Sequence, residues 1–150
     1  MHNSRTLFLF SSAIVVIDQS IKYFARTNPI LQDGVFIIQE HIGLKYFHNT
    51  NLALSIPFSN STALVLMLSV LCVLGVVMWK HKDMREHVGM YLILAGAFSN
   101  VVDRIFFGGV IDYVVIPFGG IINLADVSIV LGAGWLLFST HSKEKHPQLS

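Results

Sequence analysis

The sequence predicts an all-α membrane protein with four transmembrane helices, and three observations carry the prediction. Only 13% of the 150 residues are charged, 53% are hydrophobic, and the mean hydropathy is +0.63. A soluble domain carries about 25% charged residues, so this composition cannot cover a water-facing globule. Next, four stretches reach the roughly 20 predominantly apolar residues that a bilayer core requires. Lastly, the ionisable residues inside those stretches gather at one depth. The length suits one domain, residues 1–150. A net charge of +1 with scattered Lys and Arg gives no sign of nucleic-acid binding. A lone cysteine, Cys72, excludes an internal disulfide or a multi-cysteine metal site.

The predicted spans are 7–25, 61–79, 88–106 and 121–139. At 1.5 Å per residue each is about 28 Å long, enough to cross. The first begins after Arg5 and could be read as a signal peptide. No small-x-small cleavage site with a polar mature domain follows it, and three more spans do, so it is read as a retained helix. Residues 26–60 form a long mixed connection with two strand-like runs, Val35–Ile38 and Leu44–Phe47, and Pro57 ends their regularity. Residues 80–87 are a short charged loop. Residues 107–120, with Gly108, Gly109, Pro117, Gly119 and Gly120, read as a turn-rich loop, and 140–150 as a short polar tail. No internal repeat is present.

Four spans put both termini and the 80–87 loop on one side. That side carries Arg5, Lys80, Lys82, Arg85, Lys143 and Lys145 in short flanks, against Arg26, Lys45, Lys22 and Arg104 on the other. The positive-inside bias therefore places both termini in the cytoplasm and loops 26–60 and 107–120 outside. With that orientation Asp18, Lys22, Asp103, Arg104, Asp112 and Asp126 all lie near the outer interface, and the inner halves of the spans carry none. Charges placed only to snorkel would appear at both ends. Intramembrane charge is costly and marks function.

Spacing adds detail. Asp18 and Lys22 are i,i+4, which suits an intrahelical ion pair. Asn100, Asp103 and Arg104 share one helical face, as do Asn123 and Asp126. Taken singly, each group has an ordinary structural reading: the Asp18–Lys22 pair closes span one, Asp103 orients beside Arg104, and Asn100 and Asn123 hydrogen-bond between helices. Asp112 alone is a loop residue, and Asp126 alone is a carboxylate favoured by a helix N-terminus. With Lys22 and Arg104 each paired, Asp112 and Asp126 are left without a cation. Two carboxylates in one site share a proton, so one activates water while the other polarises a carbonyl or protonates a leaving amine. This aspartic-protease chemistry needs no metal or cofactor. H-E-x-x-H is absent and the seven histidines are spread over loops and termini. Ser99 or Ser128 activated by Lys22 remains open on residues alone, as does a small four-helix carrier, whose carboxylates would sit nearer the midplane. Cys72 reads as inert packing.

The same residues resemble the lipoprotein signal peptidases, the bacterial type II signal peptidases. The matching blocks are Asp18-Gln19-Ser20-Ile21-Lys22; Asn49-Thr50 followed by Ala53; Gly96 to Arg104, then Gly109-Val110-Ile111-Asp112-Tyr113; and Asn123 to Ile129, then Gly132. They cover nearly the whole chain. The resemblance implies that Asp112 and Asp126 are the catalytic dyad, with supporting polar or substrate-binding roles for Asp18, Lys22, Asn49, Asn100, Asp103, Arg104 and Asn123. It implies a prolipoprotein substrate whose cysteine already carries diacylglycerol, cut just before that cysteine, in the bacterial inner membrane. Residues 26–60 would then form an extracytoplasmic β-rich cradle between helices 1 and 2. Membrane lipids are the implied surroundings and a monomer the expected state, without cofactor, metal or nucleic acid. An inactive relative that binds lipid-modified peptides is also compatible with the resemblance. One departure stands out: the family's Gly-Ala-Ala-Phe run is here Asn51-Leu52-Ala53-Leu54.

Overall fold

The structure, a computed structural model, describes residues 4–38, 41–51, 59–80, 84–117 and 120–145. Pro57, the 52–54 part of the departing run, residues 81–83, Gly119 and the 146–150 end of the tail lie outside these residues.

Helix α1 spans Ser4–Thr27, with no internal breaker. Its buried residues Leu7, Ser11, Asp18, Lys22 and Ala25 recur at helical spacing on one side. Its other side exposes Phe8, Phe10, Val16 and Phe24. Ser11, Ser12 and Ser20 each bond the carbonyl four residues back, at 2.8, 2.9 and 2.7 Å. Their hydroxyls thus need no water, a condition for lying in lipid. A short helix α2, Pro29–Asp33, follows. Asn28 accepts from the Ile30 amide, Pro29 opens the helix, and Gly34 closes it at φ 96°. The sequence reading did not anticipate this turn.

Strands β1 (Val35–Ile38) and β2 (Ile42–Asn49) form an antiparallel hairpin where the two strand-like runs were expected. The sheet is larger than that. Residues 107–120, read from sequence as a loop, contain strand β3 (Val110–Ile116) and the start of β4 (Gly120–Ile122). The four strands lie in the order β1-β2-β3-β4, all antiparallel. The flanking glycines and Pro117 masked β3. Its core, VIDYVVI, is a β-branched and aromatic run suited to a buried central strand.

Helix α3, Asn60–Lys80, is largely exposed. Cys72 faces outward from it, so it does not pack as expected. Helix α4 spans Met84–Phe107 and α5 spans Leu124–Lys145. The fourth predicted span therefore begins three residues late. Ile121 and Ile122 belong to β4, because hydropathy cannot separate an apolar strand from the start of an apolar helix. Among the described residues three helices are long and apolar enough to cross a membrane, Ser4–Thr27, Asn60–Lys80 and His87–Phe107, while Leu124–Thr140 is a shorter apolar helix.

Glycines set the α4–α5 contact. A Cβ on Gly89 would lie 2.7 Å from the Gly132 carbonyl oxygen, and one on Gly132 would lie 2.6 Å from that of Gly89. The backbones touch, the close approach that small residues allow between membrane helices. The interior is polar: Lys22, Asn123, Asp18, Asp103, Asp112 and Ser99 are among the largest fully buried side chains. The exterior is apolar, with Phe8, Leu137 and Phe138 exposed. This inverts the soluble pattern.

Candidate active site

The polar interior is one hydrogen-bonded cluster where α1, α4, β3 and α5 converge. Lys22 sits at its base. Its ammonium contacts Asp18 Oδ2 and Asp103 Oδ2, both at 2.8 Å, and donates to Asn100 Oδ1 at 2.8 Å. An ammonium has three donors, so all are used. Asp18 takes a further bond from Ser99 Oγ at 2.6 Å. Asp103 accepts from Gln19 Nε2 at 2.9 Å and from the Ile111 amide at 3.0 Å, which fixes the start of β3 against α4.

The expected Asp103–Arg104 pairing does not form, since neighbouring helical residues point about 100° apart. Asp103 turns to Lys22. Arg104 turns the other way, donating to Asn60 Oδ1 at 3.0 Å and to the Asn51 carbonyl at 2.7 Å. The reading that pairs Arg104 with Asp103 is thereby corrected: Asp103 pairs with Lys22. The turn at Asn51 is held from both sides, because its amide also donates to Asn49 Oδ1 at 3.1 Å.

Asp112 comes from the middle of β3, opposite Phe47 of β2, and is 2% exposed. Asn49 Nδ2 donates to its Oδ2 at 3.1 Å and Asn123 Nδ2 to its Oδ1 at 2.6 Å. Asp126 lies in the first turn of α5 and is part-exposed. Asn100 Nδ2 donates to its Oδ1 at 2.9 Å. Asn123 and Asp126 also form a reciprocal cap. The Asp126 amide donates to Asn123 Oδ1 at 2.8 Å, and the Asn123 amide donates to Asp126 Oδ2 at 3.3 Å. One side chain, Asn123, thus joins the helix that carries Asp126 to the carboxylate of Asp112. All nine residues singled out from sequence belong to this cluster or border it.

Burial pushes the Asp112 carboxyl up to about 7, and the neighbouring Asp126 charge adds to the rise, while the Asn49 and Asn123 bonds oppose it. Four carboxylates (Asp18, Asp103, Asp112, Asp126) share the cluster with two cations, Lys22 and Arg104. That excess of acid favours holding a proton. Among the described residues no group of three His, Cys, Asp or Glu side chains is placed to hold a metal ion.

Sequence reasoning left Tyr113 without a role. Next to Asp112 on the strand, it points to the opposite face, is 4% exposed and packs with Ala25 and Leu31. Its hydroxyl donates to Asp18 Oδ1 at 3.0 Å and accepts from the Leu124 amide at 3.0 Å. Burial raises its pKa and the Asp18 charge adds to this, so the phenol stays protonated. Asn60, the Arg104 partner, was also missed. No local pattern marks either residue, because their partners are remote in sequence.

Known proteins match this chain over most of its length. A family model described as signal peptidase (SPase) II matches residues 10–141. The lipoprotein signal peptidase of Allorhizobium ampelinum is 32% identical over 138 residues, covering 86% of this chain and 83% of its own. That of Hydrogenovibrio crunogenus is 31% identical over 150 residues, covering 89% and 87%. A bacterial membrane enzyme solved by the in meso method at 2.3 Å superposes with a TM-score of 0.83 at 23% identity, over 97% of this chain and 93% of its own. A second such enzyme, at 1.9 Å, gives 0.74 at 26% identity, over 90% and 92%. The sheet and the apolar helices described above therefore form a known framework, and the chain belongs to the signal peptidase II family of bacterial membrane proteases.

Proposed function

We propose that Asp112 and Asp126 are the catalytic dyad of this protease, and that it removes signal peptides from prolipoproteins by cutting before a diacylglyceryl-modified cysteine. The observation that carries the reading is the bridge through Asn123, which bonds Asp112 and caps the turn bearing Asp126. The pair holds one proton. The ionised member takes a proton from water as its oxygen attacks the scissile carbonyl, and the protonated member gives its proton to the carbonyl oxygen. As the tetrahedral diol collapses, the C–N bond breaks. One diol hydroxyl returns its proton to the dyad, the amine leaves with the other dyad proton, and the pair is singly protonated again. The members titrate as a unit, so the base is not assigned to either.

Asn49, Asn100 and Asn123 hold the carboxylates in place, and Asp18, Lys22 and Asp103 anchor that frame. Arg104 steadies the turn at Asn51 beside Asp112. The topology we favour has four spans, both termini in the cytoplasm and the site near the outer face. Leu124–Thr140 is about 25 Å long at 1.5 Å per residue, a shortfall that local bilayer thinning accommodates. The sheet then lies outside as a cradle over the site, with membrane lipids around a monomeric enzyme.

Purified Asp112→Asn and Asp126→Asn enzymes test the dyad. Each should be folded yet fail to cleave a diacylglyceryl-modified peptide that the wild type cuts. Substantial cleavage by either sinks the assignment. Equal cleavage of the unlipidated peptide refutes the substrate class. A reporter fused after Ser150 that behaves as extracytoplasmic refutes the topology.

A further inference from the structure

We infer that Tyr113 is a positioning residue for the reaction, whose hydroxyl ties the first turn of α5 to Asp18 and so fixes where Asp126 stands against Asp112. This rests on Asp126 belonging to the dyad. The argument begins with a count of amides. The first four backbone N–H groups of an α-helix have no partner within it. In α5 all four are accounted for. Leu124 donates to the Tyr113 hydroxyl at 3.0 Å, and Ala125 to Asp18 Oδ1 at 3.3 Å. Asp126 donates to Asn123 Oδ1 at 2.8 Å, and the cap residue Asn123 donates to Asp126 Oδ2 at 3.3 Å. The last two are local, the ordinary work of an N-cap. The first two come from α1 and β3, and they meet at one atom, because Tyr113 also donates to Asp18 Oδ1 at 3.0 Å.

The consequence is mechanical. Asp112 and Tyr113 are consecutive on β3 and point to opposite faces. One face carries an acid of the dyad, and the other grips the helix turn that carries the second acid. Strand and helix are thereby locked through a ring packed against Ala25 and Leu31 and a hydroxyl serving as both donor and acceptor. Asp18 cannot drift to release this lock, since Lys22 and Ser99 hold its other oxygen at 2.8 and 2.6 Å. Without the hydroxyl, the Leu124 amide and Asp18 Oδ1 each lose a partner. The turn gains freedom, and Asp126 with it. The ring and its packing are left in place.

The test is Tyr113→Phe in the full-length purified enzyme, with steady-state cleavage of a diacylglyceryl-modified peptide. The expected result is kcat about tenfold lower with KM within twofold of wild type, and a thermal midpoint close to wild type. A kcat equal to wild type per folded molecule overturns the inference. So does a loss that appears wholly in KM or wholly in the fraction of folded enzyme, since either marks a structural role. Should the variant not fold, amide hydrogen exchange on the wild-type enzyme decides. Leu124 and Ala125 should exchange as slowly as the middle of α5, and exchange as fast as a frayed helix end overturns the tether. Asp126→Asn, run alongside, separates the two readings. Its inactivity leaves the dyad intact whatever Tyr113→Phe does, and its activity overturns both.

Discussion

Replacing Gly96 with alanine places a methyl carbon 2.3 Å from the Ala125 carbonyl oxygen and 2.7 Å from Ile129 Cγ1. Gly96 is on α4, and Ala125 is the residue before Asp126. The closest approach a real Cβ tolerates is about 3.0 Å, so α5 must retreat by at least 0.7 Å at its first turn. A retreat of that size along the contact would stretch the 2.9 Å bond from Asn100 to Asp126 to 3.6 Å, beyond hydrogen-bonding range. Overpacking of this kind costs about 1–3 kcal/mol of stability. A displacement near 1 Å in a reacting group costs up to about 10²-fold in rate. The expected result is therefore a 10- to 100-fold loss in kcat/KM, about 1.4–2.7 kcal/mol, from an enzyme that still folds. The assay is cleavage of a diacylglyceryl-modified peptide by purified Gly96→Ala, beside Gly75→Ala and Gly134→Ala. A Cβ at either control position meets nothing within 4 Å, so both should stay within twofold of wild type. Wild-type kcat/KM in Gly96→Ala, or an equal loss in the controls, refutes the reasoning.

Three further outcomes follow from the same geometry. Asp112 holds its proton more tightly folded than unfolded, so its contribution to stability is present below its ordinary value of 3.8 and is lost as pH rises toward about 7; Asp112→Asn should therefore melt above wild type at pH 8, with the gap narrowing steadily as pH falls below about 7 in thermal unfolding. Asn123→Ala removes both the cap on the Asp126 amide and the bond to Asp112, which should cost about 1 kcal/mol of stability and lower kcat more than KM is raised. Lys22→Met leaves Asp18 and Asp103 buried without their cation; a loss of about 3–5 kcal/mol is expected, read as a fall in folded yield that Lys22→Met with Asp103→Asn should partly restore.

The legible parts of this protein were those with a local cause. Spans one to three appear in sequence because an unbroken apolar run has one fate in lipid. The Asp18–Lys22 pair appears because i,i+4 spacing places both groups on one side of a turn. The β1–β2 hairpin appears because its strands are short, apolar and bounded by turn residues. Strand β3 did not, since Gly108, Gly109 and Pro117 around it carry the signal of a loop, and its partners lie on β2, over 60 residues earlier. The partner of Asp103 was misread for the same reason. Arg104 is adjacent in sequence and Lys22 is remote, yet helical geometry forbids the first and permits the second.

By itself the sequence determined the solvent and pointed to the family. Few charges force the chain into lipid, and the order and spacing of the rest single out two acids, Asp112 and Asp126, as candidates for the reaction. Tertiary structure decided what those acids become. It put Asp112 on a buried central strand rather than a loop, set Asp126 in the first turn of a helix that begins later than hydropathy suggests, and joined them through Asn123. It also turned Arg104 toward Asn60 and Asn51 and gave Tyr113 its place at the start of α5. These contacts close only when α1, α4, β3 and α5 meet, because a buried polar group must find its partner wherever the packing brings one within 3 Å, not where the chain places one nearby.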